Sequence, residues 1–562
     1  MGQGRATNFG GMVRRVAIAL LLLAVAALAS GCGAAADSAS ADAPRVRGGT
    51  VTVGMDQGPQ CLNSMIVCGG MSATTVITGP LFDGLLDVDA NGAYVPRLAT
   101  EVPTTENGGV VETPAGGMVV TMHLLREGRW SDGVPITCDD VRFTQQLRMD
   151  DRWMIRSRTG YDLVTSVDCP DPLTVVYRFK ERYAPFLGIV GGAPLPKHVL
   201  AGKNFNTYMN EGIKVSSGPF VFDHWDHSVE IVLKRNPHYW NAGADDHPWL
   251  DTIRYVFVAD SNTLKIQLRT GEVDVVNVQP DTSVKQELEA FPRGGFQIKA
   301  GVYWEQLAFN TSKAPTNDPN VRRAIAFSIN RQQITDTVLR KQVGELQSTL
   351  LPAQKDYFVP AWADVKADTK VAQKYLEASG WKKTGAYYTK NGKPLTIMFK
   401  STAGNVLRLK VAQLLQQELK ASGIRMEIAL EPPTVFFGQS TIQGSYDIAL
   451  WAWSSGIDPS QRTLFSCDQI PTESNDFEGN NYYRYCNEDV TKWLKQADVT
   501  PDVTERARLM AKVQEQMRAD MPVLPIFQRP DTIAYTDRLR GVVNNPMGGM
   551  TWNTAEWGVT AK

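Results

Sequence analysis

The chain has 562 residues, 58 Lys and Arg against 59 Asp and Glu, and a formal net charge of −1; at roughly 100–200 residues per domain it has room for about three or four domains or lobes. An apolar fraction of 43% and a charged fraction of 21% exclude global disorder and a collagen-like repeat. The even charge balance offers no basic face for nucleic acid, and six His with seven Cys leave little material for metal, so neither a metal nor a cofactor is expected.

Residues 1–32 read as an export signal. Arg5, Arg14 and Arg15 precede an unbroken apolar run over 16–28, and the small-residue stretch 28–32 (LASGC) follows. The run is too short to cross a bilayer core of about 30 Å as a lasting helix. The ending resembles a bacterial lipobox, which implies lipidation of Cys32; Ala29 stands where that pattern prefers Leu, and plain cleavage with Cys32 incidental is the alternative. Residues 33–44 are small and polar without periodicity, a flexible tether.

The six remaining cysteines, in an exported chain, favour disulfides. Fifteen connectivities are possible, and sequence proximity suggests Cys61–Cys68, Cys138–Cys169 and Cys467–Cys486. No C-x-x-C occurs, so neither a zinc ribbon nor a redox motif is supported.

Along the body, residues 49–54 alternate as a strand does, as do 119–125, 173–179 and 229–234. The pair Asp139-Asp140 reads as a helix start. Apolar residues at Val321, Ile325, Ile329 and Ile334 predict one helix over 321–339. Those at Leu407, Val411, Leu414, Leu415 and Leu419 predict another to Ser422, with Gly423 just past its end. A strand follows at 426–430. The mixture implies α/β lobes. His224 and His227 lack the spacing and carboxylate of a zinc protease, and neither a nucleophile elbow nor a phosphate-cradling loop is present. The chain does not read as an enzyme.

A set of phrases runs collinearly from about residue 48 to 557: 79–86 (GPLFDGLL), 95–99 (VPRLA), 125–133 (LREGRWSDG), 137–141 (TCDDV), 217–220 (SGPF), 234–240 (KRNPHYW), 268–274 (LRTGEVD), 309–311 (FNT), 321–325 (VRRAI), 446–450 (YDIAL) and 487–490 (NEDV). On these the chain resembles the extracytoplasmic solute-binding proteins of peptide ABC transporters, the oligopeptide- and dipeptide-binding family. Several phrases also have a local sense. Trp130 to Gly133 reads as a turn with an aromatic plug, and Asn236-Pro237 as a strand exit.

The resemblance implies an α/β, two-lobed, type II periplasmic-binding-protein-like fold with a third, small inserted lobe and a two-segment hinge. Lobe I takes 45–77, 213–300 and 520–562; inserted lobe II takes 78–212; lobe III takes 301–519. The crossings fall near 301–304 and 524–527. The implied function is hinge closure around an oligopeptide or peptide-like solute, delivered by a monomer to ABC permease subunits while a lipid anchor holds it to the outer face of the membrane. Alternatives are a non-peptide or cationic amino-acid-type solute, or recruitment to secondary-metabolite biosynthesis, since some actinomycete clusters, clavulanic acid's among them, encode proteins of this kind.

In such relatives the segment matching 447–459 faces the cleft and offers main chain to an extended peptide. Trp451 and Trp453 then wall side-chain pockets, with Ser454 and Ser455 beside them. Two charge anchors of the relatives are missing: Gly456 stands where an Asp holds the ligand's ammonium, and Leu450 where an Arg grips its carboxylate. Asp458 could substitute only through a shifted loop. Gly70, Met71 and Ser72 are expected to form the opposite wall, the glycine permitting close approach and the methionine adapting to apolar groups. Tyr303 and Trp304 at the first crossing, and Asp56 after the first strand, complete the expected site.

Overall fold

The structure, a computed structural model, describes residues 1–2, 45–243, 247–278, 284–291 and 294–561. All but the first two residues of the signal, with Cys32 and the whole tether (33–44), lie outside the described residues. Among those described, no helix is long and apolar enough to cross a membrane.

A ten-stranded mixed sheet runs through the molecule. Its strands are β1 (Thr50–Met55), β2 (Phe220–Asp226), β3 (Glu230–Arg235), β4 (Thr252–Phe257), β5 (Val275–Asn277), β6 (Gly294–Phe309), β7 (Thr396–Thr402), β8 (Arg425–Glu431), β9 (Ile448–Ser454) and β10 (Val523–Thr536). The order across the sheet is β8-β7-β9-β6-β10-β5-β1-β4-β3-β2. The long strands β6 and β10 pair antiparallel at its centre, and their register shifts twice, between Ala300 and Trp304 and between Glu305 and Gln306. Gly301 sits in the first irregularity. A Cβ there would meet the Arg529 carbonyl at 2.5 Å, so the close approach requires glycine.

Two large cores flank this spine. One is built from Val51, Phe220, Ile253, Tyr255, Ile533 and Trp557 with their neighbours. The other collects Phe309, Ile325, Trp362, Phe399, Leu415, Trp451 and Ile526. A third core, around Val120, Trp130, Val175 and Val190, belongs to a four-stranded antiparallel sheet ordered Val110–Glu112, Met118–His123, Thr174–Phe179, Val164–Asp171. Near the chain's described ends, Arg45–Val46 pairs with Gly558–Thr560, which pairs with Leu539–Arg540.

The sequence signals map onto these elements with identifiable causes. The helix Cys138–Met149 starts at a capping box of Thr137 and Asp140. Trp130 is fully buried beneath its turn, and Gly133, at φ +86°, donates its N–H to the Trp130 carbonyl at 2.8 Å. The helix Val406–Ala421 ends before Gly423, whose φ is +80°. The single helix expected over 321–339 is instead two, Pro319–Ser328 and Arg331–Val338. Asn330 breaks it by accepting from the Gln333 N–H, becoming the N-cap of the second. The three disulfides join Cys61 to Cys68, Cys138 to Cys169 and Cys467 to Cys486, the pairing that sequence proximity suggests.

Candidate ligand-binding cleft

The crossing strands carry a buried charge network. Glu305 on β6 is 1% exposed. Its Oε1 accepts from Arg408 Nε and Nη2 at 3.3 and 3.1 Å and lies 3.6 Å from Arg529 Nη1 on β10, while its Oε2 has no hydrogen-bond partner. Burial lowers the pKa of Arg529; Glu305 and Asp56 oppose that, and Arg408 adds to it. The guanidinium carbon of Arg529 lies 5.9 Å from the centre of the Tyr303 ring, a cation–π arrangement.

β9 supplies an open edge. On one side it pairs with β6 along its length, Tyr303 opposite Ser454 and Phe309 opposite Ile448. On the other it pairs with β7 only at Ile448 and Ala449, and Ser401 Oγ donates to the Leu450 carbonyl at 2.8 Å. Residues 451–454 therefore have no strand partner on that side among the described residues. Trp453, half-buried, donates Nε1–H to the Tyr483 hydroxyl at 3.0 Å and stacks on Tyr482 with ring centres 5.4 Å apart. Both tyrosines sit in the segment bracketed by the Cys467–Cys486 disulfide.

The opposite wall is the loop closed by Cys61–Cys68. A Cβ at Gly69 would lie 2.0 Å from the Asn63 carbonyl, so the loop's own packing demands glycine there. The chain of residues 154–156 runs beside this loop: the Val67 N–H donates to the Met154 carbonyl at 3.0 Å and the Arg156 N–H to the Met65 carbonyl at 3.0 Å. Arg156 Nη1 donates to the Gly70 carbonyl at 3.2 Å. Burial lowers the Arg156 pKa, partly offset by Tyr482.

The two walls meet across a seam. Arg158 Nη1 pairs with Glu478 Oε2 at 2.5 Å, Thr159 Oγ1 donates to Gln469 Oε1 at 3.2 Å, and the Gly479 N–H donates to the Arg156 carbonyl at 3.2 Å. Farther along, the Ala184 N–H donates to the Asp498 carbonyl at 2.7 Å. A cavity of about 260 Å³ opens at the seam, lined by Val67, Cys68 and Met154 on one wall and Gly438, Ile442 and Phe477 on the other.

Several expected site residues are placed otherwise than the sequence suggests. Trp304 and Trp451 are each 1% exposed and lie inside a hydrophobic core. The Trp451 ring is stacked on Tyr483 and edge-on to Phe436, Tyr446 and Trp453, so it has no surface to offer a ligand here. Met71, the residue before the helix Ser72–Thr78, is likewise buried rather than exposed. Asp458 does not substitute for the missing anchor at Gly456. Its two oxygens accept from Arg506 Nη2 and Nη1 at 2.7 Å each, which commits it to holding helix Val503–Asp520. Ser72 and Ser454 are exposed and Tyr303, Ser455 and Asp56 half-buried, while Ser72 Oγ accepts from Gln57 Nε2 at 2.9 Å.

Sequence reasoning missed Arg156, Tyr482, Glu305 and Arg529. Tyr482-Tyr483 between two cysteines was a usable signal, an aromatic pair braced by a disulfide. Arg156 had none, because only tertiary packing brings it to Gly70.

Residues 93–469 match the family described as bacterial extracellular solute-binding proteins, family 5, middle region. The oligopeptide-binding protein AppA of Bacillus subtilis is 24% identical over 527 residues, covering 91% of this chain and 92% of its own. The oligopeptide-binding protein OppA of Mycobacterium tuberculosis is 27% identical over 501 residues, covering 84% and 82%. Among solved structures, AppA in complex with a nonapeptide superposes with a TM-score of 0.82 at 23% identity, covering 92% of this chain and all of that one. NikZ from Campylobacter jejuni in complex with Ni(L-His) superposes with a TM-score of 0.78 at 21% identity, covering 91% and 99%. The open-edged β9, the paired crossing strands and the sheet they share thus sit in a known architecture: the chain belongs to the family 5 bacterial extracellular solute-binding proteins, non-enzymatic binding proteins with a two-lobed α/β fold.

Proposed function

We propose that this protein captures an oligopeptide or peptide-like solute outside the cytoplasm and delivers it to an ABC permease. The observation that carries the reading is the outer edge of β9 over residues 451–454, which no described strand pairs, flanked by the Trp453–Tyr482 stack. An extended peptide adds to such an edge through main-chain hydrogen bonds, which are common to all peptides, while aromatic rings take its side chains. Relatives named as oligopeptide-binding proteins support it.

In this reading lobe I (45–77, 213–300, 520–562) and lobe III (301–519) close about the crossings near 301–304 and 524–527. Lobe II (78–212) adds Arg158 and Thr159 to the closing contacts. Gly70, Ser72, Tyr303, Trp453, Ser454, Ser455 and Asp56 line the solute's path. Cys32, acylated, anchors a monomer to the outer face of the membrane, since two or more acyl chains suffice where one is marginal.

Thermal-shift screening of the mature body with peptides, amino acids and sugars tests the reading. A peptide at 100 times its dissociation constant stabilises by about 2.7 kcal/mol, and scattering curves compact on addition. Stabilisation by sugars or amino acids alone, with none by any peptide, sinks it. A second reading, a small non-peptide solute in the same cleft, draws on the loss of both familiar charge anchors at Leu450 and Gly456; the same screen, extended to metal chelates, separates the two.

A further inference from the structure

A short peptide brings a carboxylate into the cleft, and the strand that would receive it has no cation at Leu450. The seam has one elsewhere. Arg156 is half-buried, and its guanidinium makes a single hydrogen bond among the described residues, Nη1 to the Gly70 carbonyl at 3.2 Å. No described carboxylate pairs with it. Its neighbour Arg158 shows the contrast: Nε donates to the Arg148 carbonyl, Nη2 to the Asp150 and Trp153 carbonyls, and Nη1 to Glu478. Arg158 is finished; Arg156 is not.

The surroundings of Arg156 suit a ligand. A Cβ on residue 70 would lie 3.3 Å from both Cδ and Nη1 of Arg156, so glycine leaves the guanidinium its place. Tyr482, close enough to raise the Arg156 pKa, carries the stack with Trp453 beside the open strand edge. Met154 and Val67, on the paired backbone next to Arg156, line the apolar seam cavity. A guanidinium with most of its five donors unused, taken partly out of water, gains most from a bidentate oxyanion.

Resting on the peptide reading above, we propose that Arg156 anchors a carboxylate of the bound solute, supplying from the inserted segment the cation that β9 lacks. A carboxylate reaches it from either of two sources, a free carboxyl terminus or an acidic side chain.

The test compares the wild-type body with Arg156→Gln and Arg158→Gln by calorimetry. The probes are a tripeptide and a pentapeptide in three forms: free acid, carboxyl-terminal amide, and amide with an internal Glu. The wild type is expected to bind the free acid at least about tenfold tighter than the amide, and Arg156→Gln to lose that preference while leaving amide affinity unchanged. If the Glu-containing amide instead recovers the tight binding, the side chain is the source. Arg158→Gln weakens all forms alike, because it breaks the seam contact to Glu478, and it also lowers the melting temperature through the lost Arg148, Asp150 and Trp153 carbonyl contacts; unchanged melting of free Arg156→Gln excludes misfolding of that variant. Equal binding of acid and amides by the wild type, or an equal loss of all forms in Arg156→Gln, overturns the anchor and leaves the peptide reading standing. Failure of the wild type to bind any of these and any longer peptide overturns both.

Discussion

Arg331 and Arg156 are both guanidinium groups withdrawn from water, and the fold treats them oppositely. The Arg331 side chain is 1% exposed. Its Nη1 donates to the Leu346 and Pro525 carbonyls at 2.6 and 2.9 Å, and its Nη2 to the Trp362 and Val365 carbonyls at 2.8 and 3.1 Å and to Gln347. Glu345 lies 3.6 Å away. Around Arg331 folding alone fills both terminal nitrogens, with only Nε lacking a hydrogen bond and Glu345 beside it, whereas at the seam a cation of the same kind keeps one carbonyl among the described residues. An ion left incomplete where two walls meet marks a place where something else arrives.

Four measurements would break or sharpen this contrast. The largest effect is expected at Arg331: Arg331→Met costs about 3–5 kcal/mol in denaturant unfolding, because four buried carbonyls lose their donors and Glu345 keeps only Lys366, whereas Arg156→Met stays within about 0.5 kcal/mol. Equal costs would show that Arg156 is structural too.

Next is Asp498, the carboxylate on the closing side of the seam. It is 2% exposed, neither oxygen makes a well-formed hydrogen bond among the described residues, Ser460 opposes the effect of burial on it, and Arg506 Nη2 is 3.9 Å away. Burial pushes its pKa up to about 7. The native state therefore holds this proton where the unfolded chain has lost it. Its contribution to stability is complete in acid and is lost as pH rises from about 4 to about 7, on the order of 4 kcal/mol. Asp498→Asn should flatten that part of the profile, and an unchanged slope would place the titration elsewhere.

Third, Trp453→Ala removes half of the aromatic stack beside the open edge and should weaken peptide binding by about tenfold in calorimetry. Trp451→Ala, in the core, should cost about 3–5 kcal/mol of stability instead. The smallest effect is expected at the clasp: Glu478→Gln breaks a partly exposed pair worth about 0.2–1 kcal/mol, so affinity falls only severalfold at most, with no loss of melting temperature in the free protein.

Much of the fold was legible because its signals are local. Alternation gave β1 and β3, and the helix up to Ser422 was legible from the apolar spacing of Leu407 to Leu419 with Gly423, at φ +80°, placed just past its end. The break at Asn330 was hidden because apolar spacing continues through Ile329 while one amide side chain ends the helix. The site was less legible. Period-two alternation put Trp451 and Trp453 on one face, yet how deep each lies depends on Tyr482 and Tyr483, about thirty residues on, as well as on nearby Tyr446. Asp458 looked available until Arg506, 48 residues on, claimed both its oxygens.

The small sheet that joins Arg45–Val46 to Gly558–Thr560 has a practical consequence. Both described ends of the body leave from one patch on the same half of the molecule, so any pull on residue 45 is felt at the last strand and not across the hinge. A fluorophore on the tail would report the orientation of that half and stay blind to swinging of the other. A dye pair that reads closure should instead place one label on the exposed hairpin formed by Lys382–Thr384 and Tyr387–Lys390 and its partner near Arg45.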